Sequence, residues 1–493
     1  MSTSLILVPV AVPLLGASAY LAAGWRPSTR WIGSGCAGLA LAAAIIIAGA
    51  VSSSGPSTAF AGMLRVDALS AFMLIVIGAV ALLATTATPA YLRGEIDAGR
   101  ATARTAARHN VLVQVFLAAM ALCVLAANLG VLWVAVEATT IVTAFLVGQR
   151  RTRSAVEAAW KYVVICSTGI ALALLGTFLL NFAARNAPGS PGLDLAALTR
   201  LAHGLDPGVT RLAVVLLLIG FGTKAGLAPL HAWLPDAHSQ APAPVSALMS
   251  GVLLSVAFYA ILRVKVIADA ALGAGFARAV LIVMALSSLA VAASLLLAQR
   301  DYKRMLAYSS IEHLGLVALG AAIGGPLAVS AALLHVLGHG LAKSVLFLSA
   351  GRVLQTTGTS RIDGVRGLAA RQPMLAGCLG LGILALIGLP PFSLFASELG
   401  IAHAGFAAGL GWVTTAALAL ATVIAAALIG HTSRMVLGAP PEGPGAATAS
   451  VPLPVVLALT LIAGLVASAV LGAAAGPLIS LLHNAAITIT GTL

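Results

Sequence analysis

Long apolar runs of about twenty residues recur along almost the whole chain, and short polar stretches separate them. A membrane-spanning helix needs about 20 consecutive apolar residues, and lipid offers no other partner to its backbone groups. The pattern therefore predicts an all-α polytopic membrane protein with about 14 transmembrane helices. Their approximate ranges are 4–22, 31–51, 68–90, 110–128, 130–148, 157–181, 211–234, 241–264, 276–298, 304–323, 327–350, 374–404 (broken), 411–433 and 453–474.

Proline and glycine interrupt two of these runs, one at 220–236 and one with the sequence IGLPPFSLFASE at 387–398. Broken helices at corresponding places in two halves are typical of transporters built from inverted repeats. We therefore expect two inverted five-helix repeats. The resulting division of the chain is N-terminal helices TM1–3 at 1–109, a first half (TM4–8) at 110–264, a second half (TM9–13) at 276–433, and a C-terminal helix and tail at 434–493.

Composition supports this assignment, because 60% of residues are hydrophobic and only 8% are charged. The net charge of +13 would indicate nucleic acid binding in a soluble protein, but here the arginines lie between the apolar runs. With the N-terminus outside, eighteen Lys and Arg residues fall in inner loops and seven in outer loops, which satisfies the positive-inside rule. We expect both termini on the outer side, with the tail 475–493 at the interface and no nucleic acid partner.

The sequence contains no recognisable cofactor or metal motif. The hexapeptide 33–38 fits GxGxxG, but it opens a membrane helix and follows no strand, so small-residue packing explains it better than a dinucleotide site. Single cysteines, without any CxxC pair, argue against an iron–sulfur cluster, structural zinc or redox disulfide. We expect no cofactor and no metal. The cysteines are Cys36, Cys123, Cys166 and Cys378.

Glu137 and Lys224 are ionisable side chains inside apolar runs. Such a charge costs about 2.5–3.5 kcal/mol at the centre of a membrane helix, so it is usually functional or paired. A Glu137–Lys224 pair would be a two-state element, because moving the carboxylate away favours loss of the lysine proton. The alternative is a static ion pair that only sets helix packing.

His335, His339 and Lys343 follow one another at i, i+4 and i+8, which places them on one helix face. This spacing is typical of a proton relay, although an interior histidine pair with satisfied hydrogen bonds would have the same spacing. A zinc site would need a third ligand, and none stands nearby in the sequence. Glu398, after the second break, is an exit or inter-subunit proton site, or else an interfacial carboxylate.

Further polar residues near these positions are weaker candidates for the same hydrated axis. Three follow the first helix break, two lie deep in the helix at 304–323, and two belong to a loop ion cluster with Arg304. These residues are His231, Asp236 and His238, then Glu312 and His313, then Asp301 and Lys303.

Three stretches resemble signature sequences of the antiporter-like membrane subunits: TKAGLAPLHAWLPDAHSQAPAPVSALMSG, DYKRMLAYSSIEHLG and HVLGHGLAKSVLFLSAG. That group comprises proton-pumping subunits of respiratory complex I, large subunits of multi-subunit sodium/proton antiporters, and membrane subunits of energy-converting hydrogenases. The resemblance covers roughly 110–405 and implies a fourteen-helix core with inverted five-helix repeats. The stretches AAWKYVVICSTGIALALLGT and GLPPFSLFASE are most similar to hydrogenase-4 or formate-hydrogenlyase component F.

The resemblance implies a proton-translocating subunit of a redox-driven complex, hydrogenase-4-like or NADH dehydrogenase-like, in a bacterial or archaeal plasma membrane. Its partners would be other membrane subunits and, through them, nickel–iron or iron–sulfur subunits, because the chain carries no catalytic centre of its own. Alternatives are a sodium/proton antiporter subunit and a proton-driven membrane partner of a soluble enzyme. The implied proton pathway is Glu137, Lys224, His231, His335, His339, Lys343 and Glu398.

One position departs from the family pattern. Relatives often carry a lysine in the eighth helix, in a pattern like LLKxxxYxLLR, whereas this chain reads LLSVAFYAILR with Ser255 at that place. The link between the two halves would then depend on water, Ser255 or His231.

Overall fold

Helices account for most of the structure, a computed structural model that describes residues 2–187, 189–439 and 452–490. The first half of the chain forms α1 (Thr3–Ala23), α2 (Ile32–Ser54), α3 (Ala68–Asp97), α4 (Ala103–Leu125), α5 (Leu129–Val147), α6 (Arg153–Arg185), α7 (Leu195–Arg200), α8 (Pro207–Ala225), α9 (Leu234–Gln240), α10 (Ala243–Leu248) and α11 (Leu254–Leu272). A π-helical turn at Met249–Leu253 joins α10 to α11, so that 243–272 is one continuous span.

The second half continues with the same all-helical pattern. Its helices are α12 (Ala274–Leu297), α13 (Tyr302–Ile323), α14 (Gly325–Thr357), α15 (Leu368–Arg371), α16 (Pro373–Leu386), α17 (Ser393–Ala407), α18 (Gly411–Leu437), α19 (Val455–Ala473) and α20 (Gly476–Thr490). Within the described residues, 13 helices are long and apolar enough to cross a membrane. The pair α16–α17 adds the broken span predicted at 374–404, which gives the expected number of fourteen.

The first predicted break is confirmed. Within the apolar run 211–234, α8 ends at Ala225 because Gly226 adopts the left-handed conformation with φ of 79°. Residues 226–233 form a non-helical segment before α9 begins, buried at 226–228 and at Trp233 but exposed at Pro229 and Ala232. Hydropathy alone does not separate such an apolar segment from helix.

Two loop elements were not predicted. A short antiparallel hairpin, β1 (Ser57–Ala59) with β2 (Leu64–Val66), pairs Ser57 with Val66 and closes the connection between α2 and α3. The tail, expected at the interface, is the helix α20, whose Leu481, Leu482 and Ala485 are buried against the bundle. These segments are too short for hydrophobic periodicity to identify.

The interior of the bundle is formed by α14 and the 243–272 span, whose apolar windows are entirely buried. They approach closely where Gly251 faces Gly340: a Cβ added at Gly340 would lie 2.8 Å from the Gly251 carbonyl oxygen. Small residues at such a crossing let two backbones come together in a membrane. The crossing brings the two halves of the chain into direct contact at the level of their buried polar residues.

A buried ion pair fixes α3 against α11 at one end of the bundle. Asp67 caps α3 by accepting a hydrogen bond from the Ser70 backbone N–H at 3.0 Å, and Arg263 donates to the same carboxylate at 2.7 Å. Burial alone would raise the pKa of Asp67, but Arg263 and the Ser70 hydrogen bond outweigh it and lower that pKa to about 2. Asp67 is therefore both a helix cap and half of an ion pair.

We expect Asp67→Asn to destabilise the protein by about 3 kcal/mol, because it leaves Arg263 charged and buried without a counterion. Thermal unfolding in detergent measures this. The matched control is Asp363→Asn, whose partner Arg366 is 47% exposed, and which should cost less than about 1 kcal/mol. Since the folded pKa lies below the unfolded value, the stabilisation is present above about pH 4 and is lost as the pH falls towards 2. Equal effects of the two substitutions would contradict this assignment.

Candidate functional site

Lys224 lies fully buried in the last turn of α8, where this helix packs on α6. Its ammonium group donates hydrogen bonds to Thr140 Oγ1 at 2.9 Å and to the Tyr162 hydroxyl. The same nitrogen lies 4.6 Å from the centre of the Tyr162 ring. The charge is thus held by neutral hydroxyl groups, which can accept its hydrogen bonds but do not neutralise it.

The direct Glu137–Lys224 ion pair expected from the sequence is not formed. The side chain of Glu137 is half-buried, and its Oε2 atom has no hydrogen-bond partner. Thr140, which bonds Lys224, stands one helical turn after Glu137 on α5. The two charged groups are therefore arranged on either side of a hydroxyl, and sequence reasoning missed Thr140 and Tyr162 because buried Thr and Tyr are common without function.

An open cavity of about 1030 Å³ leads to Glu137 and Thr140 from one end of the bundle. Arginines surround its polar part, and Phe145 and Trp160 form part of its apolar wall. A water-accessible route to a half-buried carboxylate is the arrangement that proton uptake requires. The arginines that line the cavity are Arg100, Arg104, Arg108, Arg150 and Arg151.

Lys343 is the corresponding buried cation of the second half, on α14. Its ammonium group donates to the Leu306 carbonyl oxygen and to Ser309 Oγ, both at 2.6 Å and both on α13. Among the described residues, no carboxylate oxygen lies within 4.0 Å of Lys343 or of Lys224. Both lysines therefore lack a direct counterion, which makes their proton occupancy sensitive to any charge that moves nearby.

Three histidines form a contiguous group next to Lys343. His313 Nδ1 lies 2.9 Å from His335 Nε2, and His335 Nδ1 lies 3.0 Å from Ser397 Oγ. The rings of His313 and His339 have centroids 5.1 Å apart. The sequence placed His335 and His339 on one face of a helix; the fold adds His313 from α13, so that its ring contacts both of theirs.

Two carboxylates border the histidine group. Glu312 is buried, and its Oε2 atom has no hydrogen-bond partner. Glu398 is half-buried on α17, and its carboxylate lies against Gly388 in the helix break, where an added Cβ would displace it. One ligand atom each of His313, His335 and Glu398 lies within 4.8 Å of the other two. The second broken helix thus brings Glu398 to the histidine group.

His238 lies between the two halves, fully buried, with no hydrogen-bond partner on either ring nitrogen. Its ring centroid is 5.9 Å from that of Trp233 and 5.8 Å from that of Phe347. Trp233 in turn contacts the ring of Tyr162, the hydroxyl partner of Lys224. A titratable ring therefore stands between the buried lysines of the two halves.

The expected loop ion cluster of Asp301, Lys303 and Arg304 does not exist as such. Lys303 is 1% exposed and donates to the Ser239 and Ala241 carbonyl oxygens, the latter at 3.0 Å. Asp301 caps α13 by accepting from the Arg304 backbone N–H at 2.9 Å. The interpretation was wrong because the segment 236–241 covers Lys303, and sequence order does not reveal that contact.

Arg304 uses its guanidinium for a different acid, Asp236, which also pairs with Lys161 at 3.1 Å. The cluster lies at the surface, where such pairs contribute little. Asp236 is therefore separated from the buried axis for which the sequence made it a candidate.

Ser255 is buried with its hydroxyl unpartnered, and His231 is half-buried with an unpartnered Nδ1. A direct hydrogen bond between the halves comes instead from Ser250 and Ser310, whose Oγ atoms are 2.8 Å apart. This pair was missed from the sequence, where no spacing relates the two serines. It adds a hydroxyl bridge at the same level as Lys343, whose partner Ser309 precedes Ser310 in α13.

A protein family described as NADH:quinone oxidoreductase/Mrp antiporter, TM, matches residues 126–425. A hydrogenase-4 component F homolog from Methylacidiphilum infernorum is 38% identical over 367 residues, which are 74% of this chain and 77% of that protein. An F(420)H(2) dehydrogenase subunit N from Methanosarcina mazei is 30% identical over 448 residues, covering 88% of this chain and 86% of the relative.

Solved structures agree on the fold over nearly the whole chain. A chain of the membrane-bound sulfane sulfur reductase, an archaeal respiratory membrane complex, superimposes with a TM-score of 0.85 at 26% identity, covering 99% of this chain and 98% of the other. A chain of the Mrp complex from Dietzia sp. DQ12-45-1b reaches the same TM-score at 22% identity, covering 99% of this chain and 97% of the other.

Proposed function

The chain belongs to the NADH:quinone oxidoreductase/Mrp antiporter family of membrane subunits, and we propose that it translocates protons as a membrane subunit of a redox-driven complex. The observation that carries the proposal is the series of buried titratable side chains that runs through both halves of the bundle. An intramembrane ionisable residue is costly, and two buried lysines without a direct counterion need a functional reason.

The proposed path begins in the arginine-lined cavity and reaches Glu137 and then Lys224 across Thr140. It continues past His238 to Lys343, and from there through the histidine group to Glu398. Conformational changes in partner subunits would move charge near Glu137, and each lysine would then release or take up a proton. Moving one charge against 100 mV costs about 2.3 kcal/mol, which proton affinities shifted by about two units can supply.

The assignment of sides follows from loop charge. The cavity mouth carries five arginines and belongs to the end of the bundle with most Lys and Arg residues. We therefore assign that end to the cytoplasm of a bacterium or archaeon and both termini to the outer side.

The proposed partners are other membrane subunits and, through them, nickel–iron or iron–sulfur redox subunits. Membership of multi-subunit complexes among relatives supports the first part, and the similarity to a hydrogenase-4 component F homolog supports the second. The rival function is that of a sodium/proton antiporter subunit, which the similarity to the Mrp complex fold favours.

Affinity purification through a tag on this chain, followed by identification of the co-purified subunits, separates these functions. Co-purification of redox subunits that contain nickel–iron or iron–sulfur centres is the expected result. A set of small membrane subunits without any redox protein would support the antiporter, and a single soluble enzyme would support a proton-driven partner complex. Either of the last two results would contradict the proposal.

His238→Phe should slow proton translocation by about tenfold or more while leaving the protein folded. The phenyl ring keeps the contacts with Trp233 and Phe347, and neither lost nitrogen has a hydrogen-bond partner to leave behind. A positioned proton carrier contributes about 100-fold, and parallel water reduces the loss. The rate of proton uptake by membrane vesicles measures the effect, with the exposed His203→Phe as control. Unchanged uptake in the His238 variant would remove this residue from the path.

A further inference from the structure

We propose that His313, His335 and Glu398 form a binding site for a divalent transition metal ion of the zinc class. The three side chains come from three helices, α13, α14 and α17, and one ligand atom of each lies within 4.8 Å of the other two. Two imidazole nitrogens with one carboxylate oxygen are a donor set that zinc binds, at about 2.0–2.2 Å. The two histidines of this site are not His335 and His339 of the HxxxH sequence. His335 is joined instead by His313, which comes from another helix.

The geometry requires only small movements. Two nitrogens that share a tetrahedral zinc ion stand about 3.3 Å apart, whereas His313 Nδ1 and His335 Nε2 are 2.9 Å apart. Those two nitrogens already face each other across one hydrogen, carried by His313 Nδ1; the ion would replace it, and His313 would change to the tautomer protonated on Nε2, so that both rings stay neutral. The Glu398 carboxylate would approach by rotation of its own side chain, because its helix is fixed by the break at Gly388.

Hydrogen bonding prepares His335 as a ligand. Its Nδ1 lies 3.0 Å from Ser397 Oγ, which in turn donates to the Leu394 carbonyl oxygen at 2.9 Å. Because the Ser397 hydroxyl already donates its proton, its oxygen accepts a hydrogen bond from His335 Nδ1–H. In this tautomer of His335 the lone pair is on Nε2. Metal-bound histidines usually donate their second N–H to such a partner, which fixes the ring.

A second carboxyl group lies at the pocket. Glu312, adjacent to His313 on α13, is buried with an unpartnered Oε2 atom and interacts electrostatically with Glu398. A dication would favour the ionised form of both carboxyl groups, and an unpartnered buried polar atom is costly unless something binds it or offsets its charge.

Access is provided on the side of α17. Glu398 is half-buried, whereas both histidines are buried. Three protein ligands leave one position of a tetrahedral zinc ion for water, which the partly exposed carboxylate side supplies. An ion bound there would occupy the His335 lone pair that accepts a proton during translocation, so it would block proton translocation. This blocking effect rests on the proposed function, whereas binding of the ion does not.

The binding test uses the full-length chain in lipid nanodiscs and Zn²⁺ in competition with a chromophoric chelator. One ion per chain is expected. Glu398→Gln and His335→Asn should each weaken binding by at least tenfold, and Ser397→Ala by about tenfold through the loss of ligand orientation. His339→Asn is the matched control, because this ring contacts His313 but lies outside the ligand group, and it should leave the affinity unchanged. Equal affinity of wild type and the His335 and Glu398 variants would overturn the site.

X-ray absorption at the zinc edge gives a second readout that is independent of activity. Two imidazole nitrogens with oxygen donors and no sulfur are expected in the first coordination shell, and sulfur or a single imidazole would overturn the assignment. Stoichiometric binding with this signature, but no inhibition of proton uptake, would retain the metal site and contradict the proposed path through His335.

Discussion

Lys343→Met should reduce proton translocation by about 100-fold or more, the largest loss we expect from a single substitution. A positioned proton-transfer group contributes about that factor, and no other lysine is buried beside the histidine group in the described part of the chain. Proton uptake by membrane vesicles, followed by a pH-sensitive dye, measures the rate. The matched control is Lys161→Gln, a lysine whose side chain is 47% exposed and whose partners lie at the surface.

The same variant should not lose stability. Lys343 bonds a carbonyl and a hydroxyl, and a buried charge without a counterion costs several kcal/mol. Methionine has a similar length and carries no charge, so the melting temperature should stay the same or rise. Loss of transport together with a clear fall in melting temperature would show that Lys343 serves packing, and would contradict its role as a proton carrier.

Replacement of Lys224 should abolish most of the proton translocation, whether the new side chain has no charge or has a positive charge that cannot lose its proton. Lys224→Met removes the carrier, whereas Lys224→Arg keeps a positive charge that a protein does not deprotonate. We expect translocation to fall by about 100-fold in both variants. Vesicle proton uptake measures the rate, and size-exclusion profiles establish which variants remain folded.

Comparison of the two variants separates electrostatics from proton transfer. If the charge alone mattered, Lys224→Arg would keep most of the activity and Lys224→Met would lose it. Lys224→His, which can release its proton near neutral pH, should recover part of the rate. An arginine variant with wild-type activity would contradict a proton that moves through residue 224.

Much of the fold could be predicted because the membrane imposes a strong rule on length and hydropathy. The rule identified fourteen spans and both interrupted helices, since burying unpaired backbone in lipid is too costly for other solutions. Hydropathy alone did not give the end of α8: the apolar run continues to residue 234, whereas the helix stops at Gly226, within the interruption that glycine and proline predicted. Hydropathy is the same for helical and non-helical apolar segments, so it does not locate the end of α8 within the run.

The candidate site could be predicted residue by residue but not contact by contact. A lone charge in an apolar run is visible in the sequence, which explains why Lys224, Lys343 and Glu137 were found. The groups that hold these charges are ordinary hydroxyls, such as Thr140, and they become significant only because the fold brings the Thr140 side chain on α5 to Lys224 on α8. Likewise the partner of His335 is His313, 22 positions away on another helix.

Lys303 illustrates the opposite error. Its neighbours Asp301 and Arg304 are polar, so local sequence indicated a solvated cluster. The fold covers it with the segment 236–241 at the end of α9, where two carbonyl oxygens accept its hydrogen bonds. A buried lysine in a polar stretch is invisible to any method that reads only adjacent residues.

The number of protons moved per electron by the assembled complex tests the central claim most directly. The complex would be purified through a tag on this chain, reconstituted into liposomes, and supplied with the electron donor of its redox partner. We predict that Lys224→Met combined with Lys343→Met leaves electron transfer running but lowers the proton-to-electron ratio below that of the wild type. An unchanged ratio at normal electron transfer would mean that protons do not pass through this chain.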